Sequence, residues 1–243
     1  GVPVFVQNKQ ENNFNFSIDV LEEAVTSKTK AIIVNSPNNP TGTIYSKHDL
    51  EMIANFAKKH NLIIISDEIY EKLIYGNEEH ISIASLSQDA YERTIVINGV
   101  SKSYAMTGWR IGYAAANKEI IKLMSSVQSH TTSNPNSIAQ YAALEALTGD
   151  QSSLSSMIKE FGDRRDYMAS RIDKIKNLSC LKADGAFYIM VDISKYFGKK
   201  LNETIINSSL EFSEILLQEQ NVAVIPGIAF GLDNYVRLSY ATS

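Results

Sequence analysis

The sequence predicts an α/β fold in which a mostly parallel sheet with flanking helices is followed by a smaller α+β domain. The apolar segments of the first half are continuous Ile/Val runs rather than alternating patterns, which is typical of strands buried on both faces of a parallel sheet. These runs alternate with segments of helical periodicity, as expected where helices connect parallel strands. The chain has 243 residues, of which 44% are hydrophobic and 21% charged, an ordinary composition for one or two globular domains.

Five strands are predicted in the first half. The β-branched run at residues 31–35 ends at a turn, and similar runs follow at residues 62–66 and 94–98. A short strand is predicted at residues 2–6 and another at residues 110–116.

Two helices are predicted between these strands. A short helix begins within residues 20–26. Residues 48–60 form a longer one, because Leu50, Ile53 and Ala57 recur at helical spacing and share one face.

The pattern becomes mainly helical after about residue 117. The helix-breaking triplet Thr148-Gly149-Asp150 predicts a boundary between a first domain, residues 1–148, and a second, residues 149–243. The elements predicted beyond residue 117 are helices at 118–127, 138–147, 154–176 and 211–219, and strands at 186–191, 222–225 and 235–240.

Charge, hydropathy and cysteine content exclude several classes of protein. The net charge of -4 comes without any basic block, so nucleic acid is not an expected partner. No apolar run reaches the roughly 18 residues of a membrane span. Cys180 is the single cysteine and cannot form an internal disulfide, which favours a reducing, cytoplasmic setting.

Reactive side chains follow three successive predicted strands. Asn39 lies just past the first Ile/Val run, Asp67 and Tyr70 lie at the end of the second, and Lys102 lies just past the third. In open α/β sheets, ligands bind beyond the carboxyl ends of the strands. The sequence therefore predicts that these side chains meet at one rim.

Together with Arg110 and Arg237, these side chains are what a site for pyridoxal phosphate and an amino acid requires. The Lys102 amine can form an imine with the aldehyde of the cofactor, which then carries the carbanion chemistry. Asp67 would keep the pyridine nitrogen protonated, and Tyr70 and Asn39 would hydrogen-bond the phenolic oxygen.

The two guanidiniums suit the anionic groups of the same ligands. Arg110 would bind the cofactor phosphate. Arg237 would hold the α-carboxylate of the substrate as a bidentate fork, in which each charged hydrogen bond contributes roughly 1.5–3 kcal/mol.

Each of these residues also has a structural interpretation. Asp67 suits a helix cap, Tyr70 an aromatic at a domain seam, and Arg110 a salt bridge at the start of a strand. Asn39 suits a turn, with a cis peptide bond expected at Asn39–Pro40. Local sequence alone favours Arg237 as a surface cation on its predicted strand.

Other polar and aromatic signals predict structure rather than chemistry. The four histidines are scattered without metal-ligand spacing, so no metal site is predicted. Residues 185–188 could place an aromatic side chain near the substrate, although core packing is favoured there, and the glycines at residues 227–231 suggest a turn rather than a phosphate loop.

Five segments stand in an informative order: residues 35–42 (NSPNNPTG), 66–70 (SDEIY), 102–113 (KSYAMTGWRIGY), 184–188 (DGAFY) and 235–243 (YVRLSYATS). Together they resemble the class I/II aminotransferases, which are fold-type I pyridoxal-phosphate enzymes, and most closely the bacterial aspartate aminotransferase branch. The resemblance implies the ligand contacts described above, with Lys102 as the Schiff-base lysine.

The resemblance also implies substrates and an assembly. It favours transamination between L-aspartate and 2-oxoglutarate, while prephenate, aromatic amino acids and alanine stay open as substrates. The family works as homodimers with active sites at the subunit interface, where residues 129–136 resemble the segment that approaches the site of the partner.

The sequence departs from the family pattern in two ways. Many relatives carry a phosphate-binding serine where this chain has Gly99. Family members also have a sizeable N-terminal stretch before the position that matches Gly1, so the large domain is expected to be incomplete. We therefore expect the 243-residue chain alone to be inactive or feebly active. The alternative to an active aminotransferase is a catalytically incomplete fragment or split-gene remnant that retains the fold.

Overall fold

Two four-stranded sheets, a two-stranded sheet and seven α-helices make up the part of the chain that the structure describes. The structure is a computed structural model and describes residues 1–8, 12, 14–201 and 204–242. The helices are α1 Ile18–Ala24, α2 Lys47–Lys59, α3 Gln88–Arg93, α4 Lys118–Thr131, α5 Ser137–Thr148, α6 Ser152–Ile172 and α7 Ser209–Gln220. The strands are β1 Ala31–Asn35, β2 Ile63–Asp67, β3 Thr94–Gly99, β4 Gly112–Ala115, β5 Ser179–Cys180, β6 Tyr188–Asp192, β7 Lys200–Leu201, β8 Thr204–Ile205, β9 Ile225–Pro226 and β10 Tyr235–Ser239.

The first sheet has the strand order β1-β2-β3-β4. β1, β2 and β3 are parallel, and β4 returns antiparallel to β3, so the prediction of a mostly parallel sheet is confirmed. Asn35 lies opposite Asp67, and Asp67 lies opposite Ile97. The carboxyl ends of the three parallel strands therefore lie side by side, as the sequence predicts.

α2 illustrates how local sequence fixes this layer. Ser46 caps the helix: its side chain accepts from the Asp49 N–H at 3.2 Å, and the Asp49 carboxylate accepts from the Ser46 N–H at 3.0 Å. Leu50 and Ile53 are buried on the predicted face, in the same apolar cluster as Ile64 of β2. Burial of this face fixes the helix against the sheet.

The second sheet is antiparallel, with the order β5-β6-β10-β9, and it carries Arg237 on β10. A short segment joins it to the first sheet. The N–H groups of Asp184 and Gly185 donate to the Gly42 carbonyl at 3.1 and 2.8 Å, and the Ala186 N–H donates to the Leu73 carbonyl at 2.9 Å. α5 ends at Thr148, as predicted from the helix-breaking triplet, whereas the division into two domains there stays a prediction.

The predicted strand at residues 2–6 is wrong. These residues form no strand, and Val2 and Phe5 are 91% and 86% exposed. A strand needs a neighbouring edge to pair with, and none lies beside them among the described residues.

Three other predicted strands begin two or more residues later than expected. The strand predicted at 110–116 begins at Gly112, because Arg110 has a left-handed backbone with φ of 55°. The strand predicted at 186–191 begins at Tyr188, since Ala186 also has a positive φ. The strand predicted at 222–225 begins only at Ile225, where pairing with β10 starts.

Sequence periodicity missed one helix. α3 has only six residues, too few for an apolar period to emerge. Ser87 caps it, and Arg93 pairs with Asp89 at 2.7 Å. None of the helices in the described ranges combines the length and the apolar content needed to cross a bilayer.

Replacing Gly42 by alanine is expected to lower the free energy of unfolding by roughly 2–4 kcal/mol. Gly42 has φ of +73°, and an added Cβ would collide with the Ala183 side chain and lie 2.9 Å from the Gly185 carbonyl oxygen. The substitution therefore combines backbone strain with a clash at the junction between the sheets. Urea unfolding followed by circular dichroism measures the loss.

Gly231→Ala is the matched control. Gly231 has φ of +74°, but nothing lies within 4 Å of an added Cβ. Only the backbone strain applies there, at about 1 kcal/mol. Equal losses in the two variants would contradict the docking of residues 183–185 on this turn.

Candidate active site

Lys102 lies in the turn that follows β3 and is partly buried. Its Nζ is 5.9 Å from the centroid of the Tyr70 ring and 5.8 Å from that of the Phe187 ring. The partly buried amine thus lies near two aromatic rings, one from the turn that follows β2 and one from the residue just before β6.

Asp67 is the last residue of β2 and is partly buried. Burial raises the pKa of its carboxyl, the Ile69 N–H that donates to Oδ1 at 3.2 Å lowers it, and the neighbouring Glu68 carboxylate raises it further. A cationic N–H placed against Asp67 would offset this rise. The carboxyl therefore suits a ligand with a protonated ring nitrogen.

A hydrogen-bond network fixes the residue after Asp67. Glu68 is only 3% exposed, and its Oε1 accepts from the hydroxyls of Ser66 and Ser82, each at 2.8 Å. Its Oε2 lies 2.9 Å from Nε2 of His80. The side-chain atoms of Glu68, Glu71 and His80 that could bind a metal ion lie within 4.8 Å of one another, a proximity that sequence spacing does not reveal. Because these hydrogen bonds already occupy both Glu68 oxygens, we interpret the cluster as support for the end of β2.

Tyr70 is 3% exposed, and its hydroxyl lies 3.1 Å from the hydroxyl of Tyr188. Burial raises the pKa of Tyr70 far above its usual range. The phenol is therefore protonated at physiological pH and can donate a hydrogen bond to a ligand oxygen.

Asn39 and Arg237 meet although 198 residues separate them. Nη1 of Arg237 donates to Oδ1 of Asn39 at 2.7 Å, and the Asn39 N–H donates to the Asn35 side chain at 2.9 Å. The expected cis bond at Asn39–Pro40 is confirmed, and the Ser36–Pro37 bond is also cis. The turn interpretation of Asn39 is therefore confirmed, and its contact with the cofactor stays a prediction.

The Arg237 guanidinium also contacts two aromatic rings. Its Cζ lies 4.3 Å from the centroid of Tyr188 and 4.9 Å from that of Phe230. Such contacts are favourable cation–π interactions and restrict the side chain. Arg237 is therefore not the solvated surface cation that its local sequence suggests.

Arg110 lies apart from this group. It is exposed, its Nη1 donates to the Thr107 carbonyl at 2.8 Å, and it borders an open groove of about 600 Å³ with Trp109 and Asn136. No contact within the described ranges joins it to Lys102. The salt-bridge interpretation also lacks a partner among the described ion pairs, and the phosphate role stays a prediction.

The structure gives a physical reason for Gly99. An added Cβ would lie 2.8 Å from the Ile111 carbonyl oxygen and 3.1 Å from Cα of Gly112, its partner on β4. Backbone so close leaves no room for a side chain. The serine that many relatives carry here does not fit this local geometry.

Sequence reasoning favoured core packing for two aromatic residues near these side chains and missed a third. Phe187 borders Lys102, Tyr188 contacts Tyr70 and Arg237, and Phe230 contacts Arg237. The core-packing interpretation of residues 185–188 is confirmed, since Ala186 and Tyr188 belong to the central apolar cluster and Phe187 packs against it. Residues 184–188 (DGAFY) were the sequence signal for Phe187 and Tyr188, whereas no sequence signal other than a turn marks Phe230.

Comparison with known proteins covers the whole chain. The family model for aminotransferase class I and II matches residues 1–243. An aspartate aminotransferase of Bacillus sp. (strain YM-2) is 49% identical over 243 residues, and a probable aspartate/prephenate aminotransferase of Rickettsia prowazekii is 49% identical over 245 residues. Each comparison takes in 100% of this chain and 61% of the relative, so the chain spans about three fifths of their length.

A comparison with solved structures leads to the same family. The crystal structure of the aspartate aminotransferase from Rhizobium meliloti superposes with a TM-score of 0.95 at 38% identity, over 99% of this chain and 61% of that one. The predicted fold, an aminotransferase-like α/β large domain in part followed by a smaller α+β region, is confirmed by this likeness.

Proposed function

The chain belongs to the class I and II aminotransferases, and from this we propose that the protein transfers an amino group between L-aspartate and 2-oxoglutarate with pyridoxal 5'-phosphate as cofactor. One observation carries the proposal. Arg237 reaches across from β10 to Asn39, at the rim where Lys102 lies over Tyr70. The contact between the hydroxyls of Tyr70 and Tyr188 links the side chain beside Lys102 to the side chain beside Arg237, which supports the proposal.

The Lys102 amine is the covalent attachment point for the aldehyde of the cofactor. When bound, the cofactor supplies the carbonyl that accepts the amino group and a ring that delocalises the electron pair at the substrate α-carbon. The Lys102 amine, when not bound to the cofactor, would move the proton at that carbon. General acid–base help of this kind contributes typically about 10²–10⁴-fold.

The residues of the first sheet orient and tune the ligand. Asp67 holds a proton on the pyridine nitrogen, an arrangement supported by a carboxyl whose burial calls for a cationic partner. Tyr70 donates to the phenolic oxygen, and the Asn39 amide, fixed by Arg237, completes that contact. Arg110 binds the phosphate. To do so, its exposed guanidinium exchanges the hydrogen bond to the Thr107 carbonyl for one to the phosphate.

Arg237 binds the α-carboxylate of the substrate. Its guanidinium carries five N–H donors, of which Asn39 uses one, and its plane is restrained by Tyr188 and Phe230. The remaining donors suit a bidentate carboxylate contact. A neutral substrate lacking this carboxylate would leave the cation without its partner.

Exposed apolar residues support the further proposal of a homodimer. On α4, Leu123 and Val127 are 69% and 65% exposed, and on α5 Ile138 and Tyr141 are 71% and 75% exposed. Clusters of this kind commonly mark interfaces.

The test is transamination by the purified protein. With pyridoxal phosphate, L-aspartate and 2-oxoglutarate, we expect formation of oxaloacetate and glutamate, measured by coupled dehydrogenase assays. Cofactor attachment is measured on the same sample. Attachment without turnover supports a catalytically incomplete fragment, and absence of both rejects the proposed function.

Prephenate is the second acceptor to compare, because the Rickettsia relative is described as a probable aspartate/prephenate aminotransferase. The discriminating quantity is the ratio of kcat/KM for prephenate to that for 2-oxoglutarate, with L-aspartate as donor. A ratio above one would assign prephenate as the preferred acceptor, and parallel assays with aromatic amino acids and alanine cover the other donors.

A further inference from the structure

Tyr188 connects the two halves of the candidate site. It is 7% exposed, its hydroxyl lies 3.1 Å from that of Tyr70, and its ring centroid lies 4.3 Å from Cζ of Arg237. One side chain thus contacts the proposed phenol donor to the cofactor and the proposed carboxylate ligand.

The direction of the hydrogen bond between the Tyr70 and Tyr188 hydroxyls depends on which of them gives its proton to another group. Each phenol carries one proton and can also accept. Within the described part of the chain, the hydrogen bond of each hydroxyl is to the other. If Tyr70 gives its proton to a ligand oxygen, only Tyr188 can donate in the bond between them.

Such a chain of donors has a direct physical effect. A hydrogen bond accepted by the Tyr70 oxygen polarises its O–H and strengthens the bond that Tyr70 donates. The charged groups that face this pair are Asp67, Lys102 and Arg237, which come from the ends of β2 and β3 and from β10.

The ring of Tyr188 has a separate task. It lies against the Arg237 guanidinium, while Phe230 contacts the same group and Asn39 accepts from Nη1. Together these contacts restrict the planar fork. Loss of the ring would release the guanidinium on that side.

Resting on the proposed function, we propose that Tyr188 is a positioning residue with two separable parts. Its hydroxyl donates to Tyr70 and so directs the Tyr70 proton to the phenolic oxygen of the cofactor. Its ring holds Arg237 in the orientation that accepts a carboxylate.

Tyr188→Phe tests the hydroxyl, because it keeps the ring. A donor at the phenolate oxygen lowers the pH midpoint of the visible absorbance of lysine-bound cofactor. Tyr70→Phe should raise this midpoint by about one pH unit or more. Tyr188→Phe should raise it by a few tenths of a unit, because only the polarisation is lost. Spectrophotometric titration of the cofactor-loaded protein gives both values.

Tyr188→Leu tests the ring. The probe is maleate, an unreactive dicarboxylate, with its dissociation constant measured calorimetrically on the loaded protein. We expect roughly two- to thirty-fold weaker binding in Tyr188→Leu, in line with the loss of one cation–π contact, and a change below about twofold in Tyr188→Phe.

Tyr240→Phe is the matched control, since Tyr240 is a buried tyrosine of the same apolar cluster whose hydroxyl hydrogen-bonds with Tyr75 and the Ala186 carbonyl, and with neither Tyr70 nor Arg237 among the described hydrogen bonds. It should change neither the midpoint nor the maleate affinity.

The sign of the shift decides the proposal. A lowered midpoint in Tyr188→Phe would mean that Tyr188 competes for the Tyr70 proton as an acceptor, and an unchanged midpoint would mean no coupling; either overturns the inference and leaves the proposed function intact. Absence of lysine-dependent absorbance in the unsubstituted protein would instead reject the proposed function and this inference together. If the leucine variant does not fold, the phenylalanine variant alone decides.

Discussion

Replacing Lys102 by alanine is expected to abolish covalent attachment of pyridoxal phosphate and to reduce transamination by at least about 10²–10⁴-fold, the usual contribution of a proton-transfer group. The variant loses both the nucleophile and the base that would act at the substrate α-carbon. Truncation at a partly buried turn position should leave the fold intact. The readouts are cofactor absorbance retained after desalting and the coupled dehydrogenase assay.

The control for Lys102→Ala is Lys159→Ala. Lys159 lies on the exposed surface of α6 and pairs with Asp163 at 2.9 Å, an interaction of small value at an exposed site. It should retain cofactor and activity. Cofactor that survives desalting equally well in Lys102→Ala would show that another amine is the attachment point.

Replacing Arg237 by lysine is expected to weaken carboxylate binding by roughly 10²-fold, as expected for the loss of one to two charged hydrogen bonds, while cofactor affinity changes far less. An ammonium cannot reproduce the planar fork that contacts Asn39, Tyr188 and Phe230. The measurements are the dissociation constants of maleate and of pyridoxal phosphate for the same variant.

Arg171→Lys provides the control for Arg237→Lys. Arg171 lies on α6 with its Cζ 5.8 Å from the Tyr167 ring, so it has the same type of aromatic contact on an exposed helix surface. Neither dissociation constant should change. Equal weakening of maleate and cofactor in Arg237→Lys would mean that Arg237 supports the whole site rather than the substrate carboxylate.

The first sheet and its rim were predictable because short-range patterns determine them. Ile-rich runs specify β1 to β3 as buried parallel strands, and parallel strands bring residues 39, 67 and 102 to one edge. The start of β4 was not predictable, because the left-handed backbone of Arg110 is imposed by its surroundings rather than by its side chain. Residues 2–6 have strand propensity without a partner, and propensity alone does not make a strand.

The second half of the site depends on contacts between distant residues. The Tyr70–Tyr188 contact spans 118 positions and the Asn39–Arg237 contact spans 198. Local sequence favoured Tyr188 as a core residue, which is correct, and Arg237 as a surface cation, but it did not reveal the contacts of Arg237 with Asn39 and Tyr188. The order of the five family-like segments along the chain, rather than any local pattern, indicated a ligand-binding role for Arg237.

Borohydride reduction of the protein loaded with pyridoxal phosphate, followed by peptide mass spectrometry, tests the central proposal most directly. It does not require turnover and can therefore be done on the 243-residue chain. We predict a single reduced pyridoxyl modification, on the peptide that contains Lys102. Modification of any other lysine in its place, or none at equilibrium with excess cofactor, would contradict the assignment of this rim as the active site.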